Sequence, residues 1–249
     1  MRRAAQFVMV AGGLTVMGFG VHLAPDALSR VAWFDVQHVQ LEGLRYMEES
    51  EAVAFIALPE GYSLWDDLDR VGARLALHPL IDEVRPRRRL PSTLRLEVTE
   101  REPVALLAHA TLTPVDREGR SLPIDPSRHR LDLPLLHAEP GTTETSAGEG
   151  VERSRRILAR EVARLEELEP AVAASLSEIA LDPWGDVEMQ LGSPQVRLHY
   201  TPPLTPERLR AGIASLTDAL ERHRDRTPVA VDLRFADQVF IRYPSQSAR

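Results

Sequence analysis

His78–Ala105 reads HPLIDEVRPRRRLPSTLRLEVTEREPVA. Pro79 closes any helix before it, because its ring cannot continue one. Two β-like runs follow, Ile81–Leu90 and Thr93–Val98, joined by Pro91-Ser92. A two-residue break of this kind suits a tight turn. Leu94, Leu96 and Val98 alternate with Thr93, Arg95, Glu97 and Thr99. One face of the hairpin is therefore expected to be buried and the other wet. Beyond Glu100, Pro103 must leave the sheet or sit on its edge.

Upstream of the hairpin, Leu64, Leu68, Val71 and Leu75 fall at i, i+4, i+7 and i+11. That spacing makes one face of a helix reaching about His78. Ser63 is its expected N-cap, with Asp66 in the capping-box position. Pro59-Glu60-Gly61 separates it from a first helix over Tyr46–Ala57, whose apolar residues include Val53, Phe55 and Ile56. Phe34–Leu41 reads as a strand that stops at Gly43. Residues 34–100 thus run strand, helix, helix, strand, strand, an α+β order. Residues 4–24 carry no Asp, Glu, Lys or Arg and follow Met1-Arg2-Arg3. About twenty such residues suffice for a single transmembrane helix, with the basic residues 1–3 cytoplasmic and the rest outside. A cleaved signal peptide is the rival reading, against which Pro25 stands after Ala24. Residues 25–33 are the connector.

Downstream, short strands are expected over Leu106–His109, Leu112–Val115 and Ser121–Ile124, with Asp116–Gly119 as a turn. Residues 137–150, rich in Gly, Thr, Glu and Ser, read as a flexible loop. Val151–Leu168 is an amphipathic helix with Leu158, Val162 and Leu165 in its buried stripe. Strands follow at Leu176–Leu181, Val187–Leu191 and Val196–Tyr200. Thr205-Pro206-Glu207 starts a second long helix, with a cap, a first-turn proline and an acid at the positive dipole end. Val229–Leu233 and Val239–Tyr243 are the closing strands, and 244–249 is a polar tail.

Two segments carry a family resemblance. Arg87, Leu90, Pro91, Leu94, Val98, Glu100, Arg101, Pro103, Val104 and Ala105 resemble the end of the POTRA domain of the FtsQ/DivIB bacterial cell-division proteins. Val231-Asp232-Leu233-Arg234-Phe235 with the strand after it resembles the end of the same family's β-domain. The resemblance implies a POTRA domain (β-α-α-β-β) over 34–103, then a mixed β-domain with two longer helices over 104–243. It also implies a membrane-anchored scaffold of the divisome at the septum, in the inner membrane, that recruits the FtsB and FtsL coiled-coil division proteins through the end of the β-domain. By position in the motif, Phe235 and Tyr243 would be aromatic anchors. The match departs at Leu198-His199-Tyr200, where the family often has Leu-Gly and a basic residue, so no role carries over to Tyr200.

Composition narrows the chemistry. In 249 residues there is no cysteine, lysine or asparagine, and all thirty basic residues are arginine. Disulfides, thiol nucleophiles, Schiff bases and phosphate-loop lysines are excluded. The net charge of −7 disfavours nucleic acid. The eight histidines form no metal-binding spacing; His129, His137, His199 and His223 read as scattered polar residues. No catalytic residue, metal or cofactor is expected. Arg85, Arg87, Arg88, Arg89 and Arg95 are either a contact for anionic lipid or an acidic partner, or a solvated strand face that discourages edge pairing. The expected activity is binding by β-strand addition at the last strand, with Arg234, Phe235, Val239, Phe240, Ile241 and Tyr243 as candidates. Phe235 either anchors a partner or fills the core; Arg234 either pairs with an acidic partner or packs its stem across the sheet. Rival readings are a POTRA-bearing transport component and a periplasmic cell-wall hydrolase.

Overall fold

The computed structural model describes residues 28–109, 111–138, 147–223, 226–235 and 237–244. The chain divides into two compact units, one ending at Arg101 and the other beginning at Glu102.

The expected fold class is corrected in its membrane part. Among the described residues no helix is long and apolar enough to cross a membrane. The longest, residues 147–168, carries Arg and Glu along its length, which suits a surface helix with one buried stripe. The stretch 4–24, on which the transmembrane expectation rested, lies outside the described residues. The α+β class itself describes both units.

The first unit runs β1 (His38–Glu42), α1 (Glu49–Ile56), α2 (Leu68–Leu75), β2 (Ile81–Arg89) and β3 (Thr93–Glu100). Its sheet has the order β1-β3-β2, with β1 parallel and β2 antiparallel to β3. Leu94, Leu96 and Val98 are buried, as alternation requires. Leu64, Leu68, Val71 and Leu75 are buried too, so the helical stripe faces the core. The helix itself starts later than expected. Ser63 and Asp66 do close a turn: Asp66 Oδ2 accepts the Ser63 N–H at 2.8 Å, and Ser63 Oγ accepts the Trp65 N–H at 3.3 Å. The cap of α2, however, is Asp67, whose Oδ1 accepts the Arg70 N–H. The first helix is also shorter, and Val53 and Phe55 on it are exposed while Ala52 and Ile56 are buried. It ends at Ala57 in the left-handed conformation, with the Arg74 guanidinium donating to the Ile56 and Ala57 carbonyls. Phe34 closes a 3₁₀ turn rather than opening β1.

Two contacts fasten this unit. A Cβ on Gly43, at φ +94°, would lie 2.1 Å from the Val98 carbonyl oxygen, so only glycine fits where the chain leaves β1. The Glu100 carboxylate accepts the backbone N–H groups of Arg45 (2.9 Å), Tyr46 (2.7 Å) and Met47 (2.9 Å). The chain between β1 and α1 is thereby tied to the end of β3.

The second unit is an eight-stranded sheet of order β11-β10-β9-β8-β7-β6-β4-β5. Its strands are β4 (Ala105–Leu107), β5 (Thr113–Val115), β6 (Leu135–His137), β7 (Leu176–Leu181), β8 (Val187–Gly192), β9 (Gln195–Tyr200), β10 (Ala230–Asp232) and β11 (Phe240–Arg242). The helices are α3 (Pro126–His129), α4 (Ala147–Leu168), α5 (Pro170–Ala173) and α6 (Pro206–Arg222). Ser121, expected in a strand, makes a single bridge to Val115. Helix α4 begins at Ala147, inside the expected loop; residues 139–146 lie outside the description. Leu158, Val162 and Leu165 of α4 and Leu209 of α6 share one core with Met189, Leu198 and Val231 of the sheet. Tyr200 is buried in that core; its hydroxyl donates to Glu161 of α4 at 3.1 Å. That is a structural role for the residue at which the family motif departs.

Candidate partner-binding edge

The last strand is the outermost one of its sheet. β11 pairs antiparallel with β10 on one side, and among the described residues no strand pairs with the other. Val239 and Ile241 pack partly buried against the core, while Phe240 is exposed at 45%. The period-two alternation of a strand thus divides the candidates: Val239 and Ile241 hold the strand down, and Phe240 faces outward. Phe235 does not fill the core. It is 49% exposed and meets Phe240 edge to face, ring centres 5.0 Å apart. The Arg208 guanidinium donates to the Leu233 and Phe235 carbonyls and so fixes the loop that presents it. Tyr243 is held apart from that pair, edge to face with His223 and beneath Arg226.

Arg234 is engaged within the chain. Its Nε and Nη2 donate to the two oxygens of Asp232 at 3.0 and 2.8 Å, and its Nη1 donates to Asp186 at 3.4 Å. Asp232, almost fully buried, also accepts from Arg242 of β11 at 3.1 Å. One carboxylate therefore joins β10, the loop after it and the edge strand. The Arg234 hydrogen bonds hold the Asp232 carboxyl below the usual carboxylate range against the opposing effect of burial, and the same pair raises the Arg234 guanidinium.

The network continues to the turn between β7 and β8. Asp182 Oδ1 accepts the N–H groups of Trp184 and Asp186, both at 2.9 Å, and its Oδ2 lies 3.0 Å from His199 Nε2. His199, scattered in sequence terms, belongs to this cluster. One ligand atom each from Asp182, Asp186 and His199 lies within 4.8 Å of the others, which is a spacing a cation can span. Asp186 already faces the Arg234 guanidinium and Asp182 lies within hydrogen-bond distance of the His199 ring, so both acids already have partners within the chain. Burial pushes the Asp182 carboxyl up, but the backbone N–H groups of Asp186 and Trp184 and then His199 outweigh it and hold it low.

These depressed carboxyls make a pH prediction. Their stabilisation is present above the ordinary aspartate pKa of about 3.9 and lost as pH falls through the lower native values. The urea midpoint of the second unit should hold from neutral pH to near 4 and then fall. Asp182→Asn should start from a lower midpoint and flatten that acid limb, measured by circular dichroism from pH 7 to 2.5.

The basic cluster of the first unit is largely answered from within. Arg85 bonds Glu83, Arg88 donates to the Leu64 carbonyl and lies over Trp65, Arg89 bonds Gln40, Arg95 pairs with Glu42, and Arg87 lies 3.7 Å from Glu97. This favours the solvated strand face, with β2 at the sheet edge and Pro86 tolerated there.

Residues 34–101 match the family model described as "POTRA domain, FtsQ-type". The chain is 30% identical over 230 residues to the cell division protein FtsQ of Rhodothermus marinus, covering 87% of this chain and 82% of that one. The chain belongs to the FtsQ family. It is also 31% identical over 169 residues to FtsQ of Myxococcus fulvus, covering 66% of this chain and 58% of that relative's length. Identity to FtsQ of Streptomyces collinus is 29% over 197 residues, covering 76% and 69%. The Rhodothermus match is too long to fit within the POTRA residues, so it also takes in part of the second unit.

Proposed function

We propose that this FtsQ-family division protein is a non-enzymatic scaffold of the divisome, acting at the septum and binding FtsB/FtsL-like division proteins. The proposed contact is strand addition outside β11, where main-chain bonds supply affinity and alternate side chains supply specificity. The observation that carries it is an outermost strand at the end of the eight-stranded sheet whose outward side chain, Phe240, joins Phe235 in an exposed aromatic pair. Aromatic residues of this kind dominate binding energy when a partner covers them. Arg234 supports the site from beneath rather than meeting an acidic partner, because Asp232 and Asp186 already hold it.

The test is calorimetric titration of the full chain with the extracytoplasmic C-terminal part of the same organism's FtsB-like protein. Phe235→Ala should weaken binding about tenfold, the loss of roughly 1.4 kcal/mol expected for a covered aromatic. Equal affinity in wild type and a folded Phe235→Ala variant would remove the aromatic pair from the interface.

A further inference from the structure

The geometry points to Trp184 as a second contact for the same partner segment, about 15 Å from the edge strand and across the end of the sheet. This rests on the strand-addition reading and extends it to a site outside the last strand.

The first reason is size. β11 has three residues, and a strand laid along it covers far less than the roughly 800 Å² per partner of a standard interface. A partner specific for this edge must touch more than the edge. The second reason is where the exposed apolar surface lies. Among the described residues of the second unit, the exposed large apolar side chains are Leu112, Trp184, Phe235 and Phe240. Three of these four belong to one end of the sheet. Val187 pairs with Tyr200, His199 with Asp232, and Asp232 with Phe240, so the β7–β8 turn, the end of β10 and the start of β11 share that end.

The third reason is rigidity. Trp184 is 84% exposed, yet its turn is closed by Asp182 through the two N–H bonds above and by the Asp182 N–H to the Asp186 carbonyl at 2.8 Å. Gly185 takes φ +90°, a conformation that favours glycine. Asp186 then bonds Arg234, whose guanidinium lies 6.0 Å from the Phe235 ring centre. An exposed tryptophan on a turn tied to the edge-strand aromatics needs little further ordering when a partner covers it.

An added strand antiparallel to β11 would repeat the orientation in which β10 pairs with its other side. The Trp184 end of the sheet is the Phe240 end of β11. A strand added antiparallel to β11 ends there at its C-terminus. Four strand spacings of about 4.8 Å separate it from β8, which about six extended residues can span. The occupant is therefore an extended peptide segment that runs antiparallel to β11, continues about six residues beyond the paired stretch, and places an apolar side chain on the Trp184 ring.

The experiment uses the full chain with Trp33→Phe and Trp65→Phe, leaving Trp184 as the remaining tryptophan of the three. The probe is the extracytoplasmic C-terminal fragment of the same organism's FtsB-like protein, and folding is checked by circular dichroism. Saturating probe should move the Trp184 emission to shorter wavelength, and Trp184→Ala in the otherwise native chain should weaken binding about tenfold. If Phe240→Ala weakens binding while Trp184→Ala does not and the emission is unmoved, the Trp184 contact is overturned and strand addition stands. If neither substitution matters, or the folded wild type does not bind the probe, both are overturned.

Discussion

Glu100→Ala is expected to destabilise the first unit by about 3–4 kcal/mol, a large fraction of what a small domain has. The reason lies in what the carboxylate holds. It is 8% exposed and accepts three consecutive backbone N–H groups, those of Arg45, Tyr46 and Met47. Hydrogen bonds to an ionised acceptor contribute about 1.5–3 kcal/mol each, and they do not add fully because they share one group. Alanine leaves the Met47 N–H buried without its acceptor, and Met47 itself is a core residue. Glu100→Gln keeps the shape and one acceptor oxygen but loses the charge, and should cost about half as much. Urea denaturation with separate probes for the two units checks this. The transition of residues up to Arg101 should move, and that of the eight-stranded sheet should not. A Glu100→Ala midpoint within error of wild type would mean that water replaces the carboxylate without loss.

Phe240→Pro is expected to lower partner affinity more than about 100-fold while leaving both units folded. Proline removes the N–H at this position and fixes φ. In a three-residue strand either loss matters, because that N–H serves β10 or the incoming strand. The core does not depend on the substituted side chain, since Phe240 points outward and Val239 and Ile241 pack inward. Arg242 should remain bonded to the buried Asp232, so circular dichroism and the urea midpoint should change little. Titration with the FtsB-like fragment is the measurement. Retained affinity in a folded Phe240→Pro chain would show that strand addition at β11 is not how the partner binds.

Much of the first unit was legible because its signals are local. The alternation through Leu94, Leu96 and Val98 and the stripe through Leu64, Leu68, Val71 and Leu75 each arise from one element meeting one core. The end of a helix was harder to read. Ser63 and Asp66 carry the capping-box pattern and make one of its two bonds, from the Ser63 N–H to the Asp66 carboxylate, yet Asp67 caps the helix, because several side chains near a helix start compete for the same few N–H groups. The parallel pairing of β1 with β3 gave no local sign, since nothing in either strand's pattern encodes the other's distance along the chain.

The candidate site divides in the same way. The alternating apolar residues of the closing strands, the proline-initiated α6, the absence of thiol and lysine chemistry and the family motif around Asp232-Leu233-Arg234-Phe235 all follow from neighbouring residues and their order. Only the tertiary structure decided that Arg234 is held by Asp232 and Asp186, that Phe235 lies against Phe240 rather than in the core, and that Asp182, His199 and Trp184 stand at the same end of the sheet. Asp186 and Arg234 lie 48 positions apart and Asp182 and His199 lie 17 apart. Their meeting depends on strand order, including the parallel step from β9 to β10, and order is set by how α4 and α6 cover the sheet rather than by any short-range preference.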